Sequence, residues 1–279
     1  MTIGILQNLK KENAGACVEQ LKQAITAGGS DCFLLNEEQK PADLFISVGG
    51  DGTFLKAAAR SLEQGVPVIG LNLGTLGLLT EFEVGSIGET VERLLKGDYT
   101  IESRSVLEVA VTKPDSDTPV FRDYAINDCV ISQSSMTKVA YIQLYIDGQP
   151  VEMYPCDGMI VATQTGSTAY SLSAGGPIVM PGCDVMLVTP KCPHFTDGRS
   201  IVAAKDAVVS LRLLKQNTKM ITSVDGRISY QMDGDETVSC RTVERKLQII
   251  RLEPPNFFYA LKQKIERRED MMEYRRQKR

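Results

Sequence analysis

The first hundred residues alternate short apolar runs with segments whose apolar residues recur at helical spacing. Short unbroken apolar runs are typical of strands buried on both faces, and their alternation with helices is typical of a sheet with crossover connections. We predict strands at residues 2–6, 32–35, 44–48 and 66–71, and helices at residues 17–27, 54–62 and 87–95. The pattern therefore predicts an α/β domain with a parallel sheet over residues 1–102.

Beyond about Ser103 the pattern changes to alternation with a period of two, which is typical of strands with one buried face. Such runs occur at residues 141–146, 207–213, 219–224 and 247–252. Asp-Gly pairs, the strongest short signal for tight hairpins, occur at Asp147-Gly148, Asp225-Gly226 and Asp233-Gly234. We therefore predict an all-β, antiparallel, sandwich-like domain over residues 103–254.

A third segment, residues 255–279, follows the pair Pro254-Pro255, which ends the last predicted strand. Apolar side chains then recur along one predicted helical face, at Phe257, Phe258, Leu261 and Ile265. This periodicity predicts a helix that packs back on a domain. The tail at 266–279 mixes both charge signs densely, and we interpret it as a solvated helix end in preference to a partner contact.

Composition narrows the functional classes. The chain of 279 residues is 43% hydrophobic and 24% charged, as in an average globular protein, and its net charge of -4 lacks the basic footprint of nucleic-acid binding. It has neither a continuous apolar run of membrane-spanning length nor a secretory leader at its start, so we expect no membrane partner and a cytoplasmic location. The 7 cysteines form no CxxC pair and there is 1 histidine, which disfavours zinc sites and histidine-dependent hydrolysis.

The turn Gly49-Gly50-Asp51-Gly52-Thr53 lies between a predicted buried strand and a predicted helix. Ligands of open α/β sheets collect at this strand end, and glycines with a helix N-terminus favour phosphate. A carboxylate there implies either a hydroxyl to be deprotonated or a divalent cation to be held. The plain alternative is an Asp that caps the helix. Neither a P-loop nor the GxGxxG dinucleotide fingerprint is present.

Two further segments carry candidate ligand groups. A second glycine-rich turn, residues 72–77, follows the predicted strand at 66–71, so we expect both turns to face one crevice. The third element is Asp157-Gly158, a strand at 159–162, and the hydroxyl-rich loop at 163–170. Its several hydroxyls with one glycine form a suitable donor set for phosphate or ribose, although Ser/Thr-rich loops are often only turns.

In this order, the motifs resemble the NAD kinase family over essentially the whole chain. They are Gly-Gly-Asp-Gly-Thr at 49–53, Asn-Leu-Gly-Thr-Leu-Gly at 72–77, Asn-Asp at 127–128 and Thr-Gln-Thr-Gly-Ser-Thr-Ala-Tyr at 163–170. The segment Thr-Pro-Lys-Cys-Pro-His at 189–194 is also similar to the family. Gly-Gly-Asp-Gly-Thr alone is shared with diacylglycerol and sphingosine-type lipid kinases, and loosely with phosphofructokinases.

The resemblance implies a Rossmann-like N-terminal domain, ATP, Mg2+ and transfer of the γ-phosphoryl group to the 2′-hydroxyl of the adenosine ribose of NAD. It implies a homodimer or homotetramer, with Asp51 as the catalytic base. Lys56 and Lys138 are candidates to neutralise phosphate charge, because no P-loop lysine exists. The complete set of candidate binding residues is Gly49, Gly50, Asp51, Gly52, Thr53, Lys56, Asn72, Asn127, Asp128, Lys138, Asp157, Thr165, Ser167, Thr168, Ala169, Tyr170, Ser173 and Arg227.

Five positions depart from the family pattern: Leu78 replaces Phe, Asp128 replaces Glu, Pro155 replaces Arg, Gln164 replaces Pro, and Arg227 replaces Gln or His. The change at Pro155 removes a basic group two residues before Asp157, and we expect a basic side chain from elsewhere to compensate for it. Two alternatives to an NAD kinase stay open on the residues alone. One is a lipid kinase with the same first motif, and the other is a nucleotide-binding sensor without activity.

Overall fold

The computed structural model describes residues 1–73, 77–134, 139–194, 198–214 and 219–266. The chain divides into two compact units. The first comprises residues 1–103 together with the chain from residue 247 onward, and the second comprises residues 104–246. Among the described residues, no helix is both long and apolar enough to cross a membrane.

The first unit begins with alternating strands and helices, as the apolar pattern predicts. The strands are β1 (Thr2–Gln7), β2 (Asp31–Leu34), β3 (Leu44–Gly49), β4 (Val68–Asn72), β5 (Phe82–Glu83) and β6 (Thr100–Arg104), the last of which reaches the boundary. The helices are α1 (Ala14–Ala27), α2 (Asp51–Gln64) and α3 (Ile87–Lys96). The pairs β1–β2, β1–β3, β3–β4 and β4–β5 are parallel, which confirms the predicted sheet.

The centre of this sheet is buried on both faces, because β3 and β4 are buried along their whole lengths. Apolar side chains of α1 and α3 share a core with it, and the register pairs Gly49 at the end of β3 with Asn72 at the end of β4. The carboxyl ends of these neighbouring strands therefore lie at one edge, where ligands of such sheets bind.

The second unit consists of two six-stranded sheets around one apolar core, which confirms the sandwich-like prediction. All of its assigned strand pairs are antiparallel. The strands are β7 (Leu107–Thr112), β8 (Phe121–Ala125), β9 (Asp128–Gln133), β10 (Ala140–Ile146), β11 (Gln149–Cys156), β12 (Gly158–Thr163), β13 (Val185–Lys191), β14 (Ile201–Ala204), β15 (Val209–Leu213), β16 (Met220–Val224), β17 (Arg227–Met232) and β18 (Thr237–Thr242). A short helix, α4 (Tyr170–Ser173), follows the hydroxyl-rich loop.

Two of the three predicted Asp-Gly hairpins are present. Asp147-Gly148 joins β10 to β11 and Asp225-Gly226 joins β16 to β17, with positive φ at both residues of each pair. The third prediction is wrong, because Asp233-Gly234 connects β17 to β18, which belong to different sheets. There the carboxylate of Glu236 accepts the N–H groups of Asp233 and Gly234 and so shapes the crossing.

The last strand, β19 (Leu247–Arg251), lies in the first unit and not in the predicted β domain. It pairs in parallel with β4 through Ile249 and Val68. Arg251, which is 5% exposed, binds Glu81 at 2.8 Å and Glu102 at 2.7 Å. These ion pairs and the strand pairing anchor the returning chain, whereas its sequence pattern alone fits either kind of sheet.

A C-terminal helix, α5, begins at residue 257 and is described through residue 266. Asn256 caps it by accepting the N–H of Tyr259 at 3.1 Å. Leu261 is 5% exposed, but Phe258 and Ile265 are exposed, so the predicted apolar face is only partly correct. The better-covered side carries Leu261 and Lys264. The charged tail predicted beyond Glu266 lies outside the described residues.

Candidate functional site

The turn after β3 forms the start of α2. Gly50 is the N-cap residue with extended backbone, and Asp51 is the first helical residue, three positions before the predicted start. No side chain caps the helix, so the interpretation of Asp51 as a cap is wrong. A Cβ on Gly49 would lie 2.4 Å from the hydroxyl of Thr53, which makes glycine necessary there. The turn thus presents a carboxylate at a helix N-terminus, where N–H groups favour anions.

The second glycine-rich turn lies directly against Asp51. The backbone N–H of Leu79 donates to Asp51 Oδ1 at 3.4 Å. A Cβ on Gly77 would lie 2.1 Å from the same oxygen, so the carboxylate occupies space that only a glycine leaves open. These contacts support the expectation that the two turns meet, although residues 74–76 of the second turn lie outside the described part.

The other oxygen of Asp51 faces a lysine of α5. Lys264 Nζ is 3.2 Å from Asp51 Oδ2, and the two side chains are 25% and 26% exposed. The sequence pattern placed an apolar helix here but did not identify Lys264, because its partner is 213 positions away in the chain.

A cavity of about 540 Å3 opens beside this turn. The turn contributes Gly50, Gly52 and Thr53 to it, α2 contributes Lys56, and the remaining lining comes from residues 6–11 and Asn36. Lys10, Lys11 and Lys56 give this cavity three cationic side chains. Asn8, Lys10 and Lys11 carry no motif that predicts this position, although they follow β1, whose carboxyl end shares the edge of β3 in the parallel sheet.

A second group of candidate residues lies in the second unit, around Asn127 and Asp128. The carboxylate of Asp225 accepts the N–H groups of Ile126 at 2.9 Å, Asn127 at 2.7 Å and Asp128 at 3.2 Å. Three donors to one carboxylate fix the loop backbone. Sequence reasoning identified Asp225 only as a hairpin residue, since its role depends on the neighbouring strand.

Asp128 is buried, with 5% of its surface exposed. Burial and then the nearby charge of Asp225 raise its pKa to about 7, while the N–H of Tyr170 donates to its carboxyl group and offsets part of this effect. Burial also raises the pKa of Asp225, opposed by the three N–H donors and Arg227. Asp128 is therefore a carboxyl group that changes protonation near neutral pH.

The hydroxyl-rich loop uses most of its hydroxyls to hold its own shape. Thr163 Oγ1 donates to Ile126 O at 2.6 Å, and Thr168 Oγ1 donates to Thr165 O at 3.3 Å. Ser167 Oγ accepts the N–H of Val179 at 3.2 Å. A Cβ on Gly166 would lie 2.0 Å from Asn127 O, so the loop packs tightly on the Asn-Asp segment. The groups of this region left exposed to a ligand are Tyr170 and Ser173 of α4.

Two basic side chains lie near Asp157 and Tyr170, close to Pro155, where the resemblance implies an Arg. His194 Nε2 is 3.9 Å from Asp157 Oδ1, and the His194 N–H donates to Pro155 O at 2.8 Å. Lys191 Nζ lies 5.8 Å from the centroid of the Tyr170 ring. The structure therefore brings Asp157, Tyr170 and two basic residues into one region.

Two of the remaining candidates lie beside the groups described above, because Asn72 pairs with Gly49 in the register of β3 and β4, and the charge of Arg227 acts on Asp225. Arg227 forms an ion pair with Asp123 at 3.4 Å. Asn72 is 4% exposed at the end of β4. Lys138 lies outside the described residues.

A carboxylate at a helix N-terminus on the carboxyl edge of a parallel sheet, next to a cavity lined by three lysines, is typical of a phosphotransferase. A family model described as the ATP-NAD kinase N-terminal domain matches residues 5–99, and one described as the ATP-NAD kinase C-terminal domain matches residues 126–252. The chain belongs to the NAD kinase family.

Similar proteins agree with this assignment. The NAD kinase of Caldanaerobacter subterraneus is 35% identical, over 95% of this chain and 99% of that protein, and the NAD kinase of Caldicellulosiruptor bescii is 39% identical with the same coverage. The crystal structure of an NAD kinase from Archaeoglobus fulgidus in complex with ATP is 25% identical, with a TM-score of 0.78 over 94% of this chain and 99% of that one. A yeast NADH kinase structure shares the fold, with a TM-score of 0.81 and 22% identity over 94% and 86%.

The chain is therefore an enzyme, a kinase of NAD. Neither alternative, the lipid kinase or the inactive sensor, is favoured by these relatives.

Proposed function

We propose that Asp51 is the proton acceptor when the γ-phosphoryl group of ATP is transferred to the 2′-hydroxyl of the adenosine ribose of NAD. The hydroxyl gives its proton to the Asp51 carboxylate, its oxygen forms the new bond to phosphorus, and ADP leaves. The observation that carries this role is the Asp51 carboxylate, which accepts the Leu79 N–H and whose chain neighbours Gly50 and Gly52 line the cavity that holds three lysines. Phosphoryl transfer depends chiefly on positioning and charge neutralisation, so an ordinary carboxylate suffices.

The cavity beside the turn is the proposed site of the ATP phosphates. The first turn of α2 presents N–H groups, and Lys10, Lys11 and Lys56 supply positive charge. Among the described residues there is no group of three acidic, His or Cys side chains that would hold a metal ion alone. Proteins commonly hold Mg2+ through one or two carboxylates and the substrate phosphates. Mg2+ bound with ATP would neutralise phosphate charge next to Asp51.

The second unit supplies the proposed NAD-binding residues. Asn127 and Asp128 bind the adenosine part and its ribose, and Asp157, Ala169, Tyr170 and Ser173 complete the set. Thr165, Ser167 and Thr168 support this role by shaping the loop. Lys191 lies beside Tyr170, and His194 lies beside Asp157. We assign to these two residues the contacts with substrate phosphate that an Arg at position 155 would make and Pro155 cannot.

The setting of the enzyme is proposed on the resemblance and on composition. We expect a cytoplasmic homodimer or homotetramer without nucleic-acid or membrane partners. The net charge of -4 agrees with the absence of a nucleic-acid partner.

A donor-by-acceptor activity panel tests this function. Purified protein with Mg2+ is given ATP or polyphosphate as donor, and NAD, NADH or diacylglycerol as acceptor. We expect NADP from ATP and NAD, and no phosphorylation of diacylglycerol. Phosphorylation of the lipid without NADP formation would contradict the proposal.

A further inference from the structure

Lys264 is a side chain of the C-terminal helix that the reaction as proposed above does not use. It lies on the same side of α5 as Leu261, one turn further along the helix, and its Nζ is 3.2 Å from Asp51 Oδ2. Only 25% of the Lys264 side chain is exposed, whereas lysines are mostly found in solvent. A partly covered ammonium group directed at the proposed proton acceptor therefore has a specific place in the site.

The two contacts of Asp51 divide its carboxylate oxygens between them. The Leu79 N–H donates to Oδ1 at 3.4 Å, and the Lys264 ammonium contacts Oδ2 at 3.2 Å. Each carboxylate oxygen accepts more than one hydrogen bond, so a substrate hydroxyl still finds an acceptor. The two contacts together fix the plane of the carboxylate, which is the geometry that proton transfer from a bound hydroxyl requires.

We propose that Lys264 is the positioning residue that orients the Asp51 carboxylate for proton transfer, and that α5 belongs to the catalytic apparatus for this reason. This inference rests on the proposed role of Asp51. Lys264 acts through Asp51 and not through the substrates. Its loss lowers the rate of turnover and leaves the binding of ATP and NAD nearly unchanged.

The same helix offers a matched control. Lys262 lies two positions before Lys264, its side chain is 72% exposed, and it pairs with Glu266 at 3.6 Å. Lys262→Met removes an ammonium group from α5 without touching Asp51. Lys264→Met keeps the aliphatic length beside Leu261, and Lys264→Arg restores the positive charge.

The test measures kcat, KM for ATP, KM for NAD and the melting temperature of five variants. They are Lys264→Met, Lys264→Arg, Lys262→Met, Asp51→Asn and the double variant Asp51→Asn/Lys264→Met. For Lys264→Met we expect kcat to fall about 10- to 100-fold, as for a misplaced catalytic group, with each KM within roughly 3-fold. Lys264→Arg recovers a large part of kcat, and Lys262→Met behaves as wild type. In the Asp51→Asn background, Lys264→Met changes the residual kcat less than about 2-fold, because two residues that act as one unit are not additive.

Other outcomes overturn the proposal in distinguishable ways. A normal kcat for Lys264→Met, with a low kcat for Asp51→Asn, contradicts the proposed role of Lys264 but not that of Asp51. A normal kcat for Asp51→Asn contradicts the proposed role of Asp51 itself. Additive losses in the double variant, or equal losses in Lys262→Met, show that Lys264 acts elsewhere or that α5 acts only as a structural element. If Lys264→Met does not fold, Lys264→Gln provides the same comparison.

Discussion

At the scale of single residues, two carboxyl groups have opposite surroundings. Asp51 is partly exposed and contacts a cation, whereas Asp128 is buried beside Asp225. Burial and the neighbouring carboxylate disfavour the charged form of Asp128 and raise its pKa from 3.8 to about 7. These opposite surroundings agree with the different tasks proposed for the two acids, proton acceptance for Asp51 and contact with a sugar hydroxyl for Asp128.

Asp128 makes stability depend on pH. Between about pH 4 and pH 7 the folded protein keeps a proton on Asp128 that the unfolded chain has released, so stability falls as the pH rises through this interval. Asp128→Asn abolishes this dependence. We expect the free energy of unfolding of the variant to exceed that of wild type by on the order of 1 to 4 kcal/mol, with the smaller advantage at pH 5 and the larger one at pH 8. Urea unfolding at both values measures it, and an advantage that is equal at pH 5 and pH 8 contradicts the assignment.

At the scale of elements, the two groups of candidate residues share one arrangement. In each group, a glycine in the loop that follows a strand packs tightly against the loop that carries the candidate residue. Gly77 packs against Asp51 in the first unit, and Gly166 packs against Asn127 in the second. Asp225, at the turn between β16 and β17, then fixes the Asn127 backbone from the adjacent strand. Packing and hydrogen bonds thus hold the backbone of the candidate side chains in place, and a site held in place before binding loses less entropy when a ligand binds.

Asp225→Asn removes one charged acceptor from three N–H groups while keeping a side chain that tolerates the positive φ of 48° at this position. We expect a loss of about 1 to 3 kcal/mol in stability, because a buried hydrogen-bond donor is left unpaired. NAD binding should weaken with it, since Asn127 and Asp128 lose their support. Thermal unfolding and NAD titration measure the two effects. Asp233→Asn, at an exposed position in the connection between β17 and β18, is the control and should change neither.

Sequence patterns predicted the positions of helices and strands better than they predicted which strands pair with each other. The strand at 44–48 and the helix at 87–95 agree with β3 and α3 to within one residue, because their apolar pattern is local. The helix at 54–62 begins earlier, at Asp51, because a glycine-rich stretch has the composition of a turn. β19 was assigned to the wrong domain, since a buried strand carries no local signal of the strand with which it pairs.

The same limit applies to the site. Asp51, Asn127, Asp128 and the loop at 163–170 became candidates because their motifs are contiguous in sequence. Lys264 and Asp225 did not, because their contacts with Asp51 and Asn127 span 213 and about one hundred positions of the chain. Such contacts exist only in the folded protein.

At the scale of the whole molecule, the sign of the net charge is opposite to the sign of the charge at the proposed ATP cavity. The chain carries a net charge of -4, yet the proposed ATP cavity is lined by three lysines. A negative protein repels a polyanion at long range, so binding depends on local cations at the site. The chain also leaves its first unit at residue 104 and returns at residue 247, which places Lys264 in the same unit as Asp51.

Removal of the cavity lysines should weaken the binding of ATP and leave the binding of NAD nearly unchanged. We expect Lys10→Ala and Lys11→Ala each to raise KM for ATP by about 3- to 10-fold, with KM for NAD changed less than about 2-fold, as for the loss of one charged contact to phosphate. The difference should shrink at high salt. Steady-state kinetics at two ionic strengths measure both effects, with Lys113→Ala, an exposed lysine of the second unit, as the control. Unchanged KM for ATP in both variants would place the triphosphate elsewhere.

The measurement that tests the central claim most directly is the turnover of Asp51→Asn, made together with its affinity for NAD. Asn keeps the size of the side chain but does not accept a proton. The account predicts that kcat falls by roughly 100- to 10,000-fold, the usual contribution of general base catalysis, while the Kd of NAD stays within about 3-fold of wild type. A variant that forms NADP at the wild-type rate would contradict the account.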